Sequence, residues 1–209
     1  MKLYHGGICF ITDKGSCQLT CTEMIEMALD AGVNWVQLRD KERDRLGLYR
    51  IALKARALTS AYGATLIIND HADIAAAVDA DGVHLGQDDL PIEAARQLVG
   101  HGRIIGISTH SVKEAISAER AGADYIGFGP IFRTETKEAA GRPKGTEMIA
   151  RIRASVGIPV VAIGGISCKS LRPVINAGAD AVAVASGVLK GAVQSNFMQY
   201  LSEVQRSVR

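Results

Sequence analysis

The chain has 209 residues, 47% hydrophobic and 22% charged, enough to bury the core of one domain spanning 1–209. A formal net charge of +2 without a long lysine or arginine run excludes a general nucleic-acid surface, so any basic site is local. Cys9, Cys17, Cys21 and Cys168 lack metal-ligand spacing, and no apolar run reaches membrane-spanning length; reduced thiols in a cytoplasmic protein are expected.

Short apolar runs alternate with amphipathic ones from end to end. Strands are predicted at Ile8–Asp13, Trp35–Asp40, Thr65–Asp70, Gly82–Gly86, Ile104–Thr109, Tyr125–Pro130, Pro159–Gly165 and Ala181–Ser186. Their continuous apolar character marks strands buried on both faces, as in a parallel sheet. Between them lie helical patterns such as CTEMIEMALDAG and SVKEAISAERAG, with capping boxes expected at Thr20 with Glu23 and Ser111 with Glu114. The phrases DAGVNWVQL, RAGADYIGF and NAGADAVAV each end a helix on a left-handed glycine and start a strand at once. Eight strand–helix units in this length predict an α/β fold, a single (β/α)8 TIM barrel of the phosphate-binding type. An open doubly wound sheet is the alternative, because periodicity does not show closure.

In such a barrel the site is built at the C-terminal ends of the strands. Those ends carry Gln37, Arg39 and Lys41 after strand two, Asn69 and Asp70 after strand three, and Gln87, Asp88 and Asp89 after strand four. Ser108, Thr109 and His110 follow on strand five, then Thr134, Thr136 and Lys137, Gly164–Gly165, and Ser186–Gly187. Arg39, Lys41 and Lys137 suit a polyphosphate, unless Asp40 or Glu42 neutralises the first two. Asp70 and Asp89 suit a shared magnesium ion, or else cap the helices that follow. Gly164–Gly165 and Ser186–Gly187 suit a monophosphate approached by backbone N–H groups. His110 is the histidine best placed as an acid or base, and a structural role is its other reading.

Seven segments in order resemble the thiamine phosphate synthase family: VQLRDK (36–41), LIIND (66–70), DGVHLGQDD (81–89), IIGISTHS (104–111), GADYIGFGPIFRTETK (122–137), VVAIGGI (160–166) and VAS (184–186). The resemblance runs from Phe10 to Leu189. It implies a transferase of thiamine biosynthesis that forms a C–N bond between a hydroxymethylpyrimidine diphosphate and a thiazole phosphate, with pyrophosphate release. It implies that Gln37, Arg39, Lys41, Asn69, Ser108 and Lys137 hold the pyrimidine diphosphate, with Arg39, Lys41, Lys137 and Ser108 as the catalytic set. Thr134, Thr136, Gly165, Ala185 and Ser186 would hold the thiazole phosphate, and Asp70 and Asp89 the cofactor Mg2+. Its partners are small molecules, not nucleic acid or membrane, and a homo-oligomer is left open. Arg133 departs from the family pattern, where a proline is usual. The competing functions are a thiazole tautomerase on the same barrel, which would use His110, and a non-catalytic phosphate- or thiamine-precursor-binding protein.

Overall fold

The computed structural model describes residues 7–134 and 141–207. Its elements run β1 (Gly7–Ile11), α1 (Cys21–Asp30), β2 (Trp35–Leu38), α2 (Arg45–Ala61), β3 (Thr65–Asn69), α3 (Ala72–Ala77), β4 (Gly82–Leu85) and α4 (Ile92–Val99). They continue β5 (Ile104–Thr109), α5 (Val112–Arg120), β6 (Tyr125–Phe128), α6 (Thr146–Arg153), β7 (Val160–Ile163), α7 (Cys168–Asn176), β8 (Ala181–Val184) and α8 (Val193–Ser207). All neighbouring strands are parallel, and β8 pairs back onto β1 from Gly7↔Ala181 to Phe10↔Val184. The sheet is therefore a closed barrel, not an open doubly wound one.

Most strands end one or two residues earlier than their apolar runs suggest, because the polar ends turn into loops. Asp70 (φ 64) and Gly164 (φ 99) leave the ladder in the left-handed region. The left-handed glycines expected after α1, α5 and α7 are Gly32 (φ 98), Gly122 (φ 90) and Gly178 (φ 102). Thr20 and Glu23 form the reciprocal capping box. At Ser111 the box is shifted: the Ser111 hydroxyl accepts from Glu114 N–H, but the Glu114 carboxylate takes the N–H of His110, one residue earlier.

Side chains alternate between the lumen and the helical shell. Cys9, Ile11, Trp35, Ile67, Ile104, Tyr125, Val161, Ala181 and Ala183 form the inner cluster. Phe10, Val36, Leu66, Ile68, Ile105, Ile126 and Val182 pack outward against the helices. Both sets are apolar, which is why the strands read as unbroken hydrophobic runs. At the N-terminal end of the barrel an arginine–aspartate clip recurs. Asp81 accepts from Arg56 (2.6 Å) and Leu66 N–H (2.8 Å), and Asp124 accepts from Arg96 (2.7 Å) and Ile105 N–H (2.7 Å). Asp180 accepts from Arg153 (3.0 Å) and Val160 N–H (2.8 Å). Each clip joins a helix to the first residues of two neighbouring strands.

Candidate active site

At the opposite end, the loops after the strands enclose two adjoining cavities of about 450 and 340 Å3. Gln37, Lys41, Asn69, Asp70 and Asp89 line the larger; Thr134, Gly165, Ala185 and Ser186 line the smaller. Arg39, Ser108 and His110 line both. The described members of the set expected to hold the diphosphate and the metal thus line the larger cavity, and the described members of the monophosphate set line the smaller. Thr136 and Lys137 lie outside the described residues.

Strand parity explains the first set. Gln37 follows Trp35 on β2, Asn69 follows Ile67 on β3, and Ser108 belongs to the lumen series of Ile104 on β5. Arg39 lies two residues beyond Gln37. Buried Thr12 accepts from Arg39 N–H and donates to the Arg39 carbonyl, each at 2.8 Å, fixing where Arg39 leaves the barrel. Asp40 accepts from Arg43 Nε (2.8 Å) and Glu42 N–H (3.1 Å), so it is engaged elsewhere and does not neutralise Arg39 or Lys41. Lys41 Nζ instead reaches Asp70 at 3.0 Å.

Neither acid caps a helix. His71 occupies the cap of α3, and Asp70 donates its N–H to the His84 carbonyl at 2.8 Å. Pro91 precedes α4, and Asp89 accepts from Gly86 N–H at 2.6 Å, closing the turn after β4. The two carboxyl groups are within hydrogen-bond reach of each other. Burial opposes ionisation of Asp70, but Lys41, Asp89 and His71 together hold it below the usual carboxylate range. Burial, then the neighbouring Asp70, raises Asp89, against the pull of the Gly86 N–H. Two acids this close hold either a shared proton or a cation. Their donor set fits magnesium, which takes few protein carboxylates and completes its shell with water and phosphate oxygen.

The smaller cavity lies between the β7 and β8 ends, beside Ser167 at the start of α7 and a 3-10 turn over Ser186–Val188. Gly164 and Gly165 have a packing duty beyond opening backbone to a phosphate. A Cβ on Gly164 would lie 2.6 Å from Pro130 Cβ, and one on Gly165 would collide with the Arg133 carbonyl oxygen. The loop after β6 lies against this pair, with Phe132 N–H donating to the Gly164 carbonyl at 2.9 Å. That contact carries Thr134 to the cavity wall. Exposed Arg133 meets Gly165 through its carbonyl oxygen, and its side chain borders the rim beside Ser16 and Lys190. Tyr200 of α8 reaches the same cavity and donates to the Ile166 carbonyl at 3.1 Å. His110 Nδ1 donates to the Gly129 carbonyl at 2.7 Å, which directs Nε2 away from that bond.

Several lining residues were not among the sequence-level candidates: Thr12, His84, Tyr125 and Tyr200. Each acts through a partner on another element, and no local motif announces that. Gln87 was noted only as a polar strand end; its Nε2 donates to the Ser108 carbonyl at 2.6 Å.

The sequence pattern of the thiamine monophosphate synthase family matches residues 8–188. The thiamine-phosphate synthase of Chlorobium luteolum is 46% identical over 202 residues, covering 97% of this chain and 94% of that one. That of Shouchella clausii is 47% identical over 167 residues, 80% of each chain. Among solved structures, thiamine phosphate pyrophosphorylase from Pyrococcus furiosus superposes with a TM-score of 0.91 and 37% identity over 100% of both chains. With the sequence pattern spanning most of the barrel and the relatives matching it nearly end to end, this chain belongs to the thiamine monophosphate synthase family.

Proposed function

We infer that this protein forms thiamine phosphate by joining a 4-amino-5-hydroxymethyl-2-methylpyrimidine diphosphate to a thiazole phosphate, releasing pyrophosphate. The observation that carries this reading is the pair of cavities with Arg39 and Ser108 in their common wall. One cavity offers acids, a lysine and an arginine to a diphosphate; the other offers glycines and hydroxyls to a monophosphate.

The bond from the pyrimidine methylene carbon to the diphosphate oxygen breaks, and its electron pair leaves with pyrophosphate. The thiazole nitrogen supplies the pair for the new C–N bond, so no proton has to be removed. Arg39, Lys41 and Lys137 stabilise charge growing on the leaving group, and Ser108 donates to it. Gln37 and Asn69 orient the pyrimidine. Gly165, Thr134, Thr136, Ala185 and Ser186 seat the thiazole phosphate, so the nitrogen meets the carbon in line. Magnesium held by Asp70 and Asp89 would neutralise further charge on the diphosphate and the departing pyrophosphate. The four free cysteines and the absence, among the described residues, of a helix long and apolar enough to cross a membrane support a cytoplasmic location.

Purified protein given both substrates and magnesium is expected to yield thiamine phosphate and pyrophosphate in equal amounts, and to stop in EDTA. Full activity in EDTA sinks the metal assignment. His110→Ala is expected to keep a substantial part of the activity and Lys137→Ala to lose most of it, with kcat falling more than KM rises. A tautomerase reverses that order, losing ~10²–10⁴-fold in proton transfer with His110.

A further inference from the structure

Below the rim, the Ser108 hydroxyl belongs to a chain of side chains crossing the barrel lumen. His84 Nε2 lies 2.9 Å from Ser108 Oγ, and His84 Nδ1 lies 2.8 Å from the Tyr125 hydroxyl. The Tyr125 hydroxyl is in turn within reach of the Gln37 side chain. The four residues come from β5, β4, β6 and β2, so no sequence motif contains them. Glycines clear the space: a Cβ on Gly106 would overlap the Tyr125 ring, and one on Gly127 would sit 3.0 Å from His84 Cε1. Tyr125 also packs edge-to-face with Trp35, with ring centroids 5.3 Å apart.

We propose that His84 is a positioning residue that fixes Ser108 as a hydrogen-bond donor to the diphosphate and links that state to recognition of the pyrimidine by Gln37. This rests on the assignment of Ser108 and Gln37 to the pyrimidine diphosphate made above. A diphosphate offers acceptors only, so Ser108 has to spend its proton on it. His84 Nε2 must then carry the hydrogen and donate to Ser108 Oγ. In the proposed state His84 is the neutral imidazole, which has one N–H, so Nδ1 accepts and the Tyr125 O–H donates to it. Burial keeps the Tyr125 phenol protonated, so that donor is always present. The Tyr125 oxygen then accepts from the Gln37 amide N–H, which leaves the Gln37 carbonyl oxygen for the cavity. A carbonyl there is an acceptor, and the amino group of the pyrimidine is a donor. Both ends of the chain are therefore complementary to the same substrate in one proton arrangement. Reversing that arrangement makes Ser108 an acceptor facing phosphate oxygen and turns the Gln37 amide N–H on the substrate's amino group.

Steady-state kinetics on single and double variants test this. His84→Leu is expected to lower kcat by ~10–10²-fold while the KM for the pyrimidine diphosphate moves far less, as for an interaction made mainly in the transition state. His84→Gln, whose amide N–H can replace Nε2–H, is expected to recover most of that loss. In a Ser108→Ala background, His84→Leu is expected to add little, because both changes remove the same donor. Tyr125→Phe removes one oxygen and keeps the Trp35 contact, so its smaller kcat loss should likewise shrink in the Ser108→Ala background, to what the loss of the Gln37 contact alone contributes. That second cycle decides the matter if His84→Leu does not fold by circular dichroism. Losses that multiply in full between His84 or Tyr125 and Ser108, in protein that still forms thiamine phosphate and still responds to Ser108→Ala, overturn the relay alone. Absence of thiamine phosphate from the wild type, or full activity in Ser108→Ala, overturns the site assignment instead.

Discussion

Asp70 sits at φ 64, a conformation that aspartate and asparagine tolerate far better than bulkier residues. Asp70→Asn therefore removes the charge while keeping the backbone turn, whereas alanine would change both. The variant is expected to lose ~10²–10³-fold in kcat, the range for one preorganised charge-stabilising group. It is also expected to lose any rise in melting temperature that magnesium with pyrophosphate gives the wild type. Pyrophosphate release and a melting curve check the two, and an unchanged magnesium response removes Asp70 from the metal site. At this scale the sequence was most legible where a residue's chemistry is its own signal: Arg39, Lys41, Asp70 and Asp89 are charges at strand ends, and all four line one cavity. It was least legible where chemistry depends on a partner. His84 reads from the chain as a histidine inside a strand, and only the neighbouring strands give it Ser108 and Tyr125. The roles of Asp40, Asp70 and Asp89 are likewise decided by turns, through Arg43, Lys41 and Gly86, and not by their own chemistry.

At the scale of elements, the eight strands were legible because each is apolar on both faces and bounded by polar turns. The arginine–aspartate clips were not, although Asp124 and Asp180 stand inside the repeated phrases RAGADYIGF and NAGADAVAV. Their arginines lie 28 and 27 residues upstream on α4 and α6, beyond the reach of any local pattern. The corresponding position of the first phrase is Asn34, and its carbonyl accepts from Thr65 N–H at 2.9 Å. Each clip satisfies the N–H of a strand's first or second residue and holds the preceding helix against it. Asp180→Ala is expected to destabilise the fold by ~1–3 kcal/mol, the cost of leaving partly buried donors without their acceptor. Urea unfolding measures this, with kcat and KM expected to stay near wild type because the clip lies at the end remote from the cavities. A large kcat loss at unchanged stability contradicts that separation.

For the whole molecule, the barrel puts its fastening at one end of the strands and its chemistry at the other. The larger cavity draws its walls mainly from β2–β5 and the smaller from β6–β8, with the end of β1 serving both. On the proposed reading the two substrates are received by different arcs of the same ring, and the chain closes the ring by pairing β1 with β8. Arg39, Ser108 and His110 stand where the arcs meet. On the same reading the finished molecule lies across that junction, with its pyrimidine on one side and its phosphate on the other. Thiamine phosphate is therefore expected to inhibit competitively against either substrate, while pyrophosphate competes only with the diphosphate. Initial-rate plots separate these cases, and mixed inhibition by thiamine phosphate against the thiazole substrate contradicts the shared wall. If so, synthesis slows as its own output accumulates, and the partition between the cavities would give the protein end-product feedback without a second binding site.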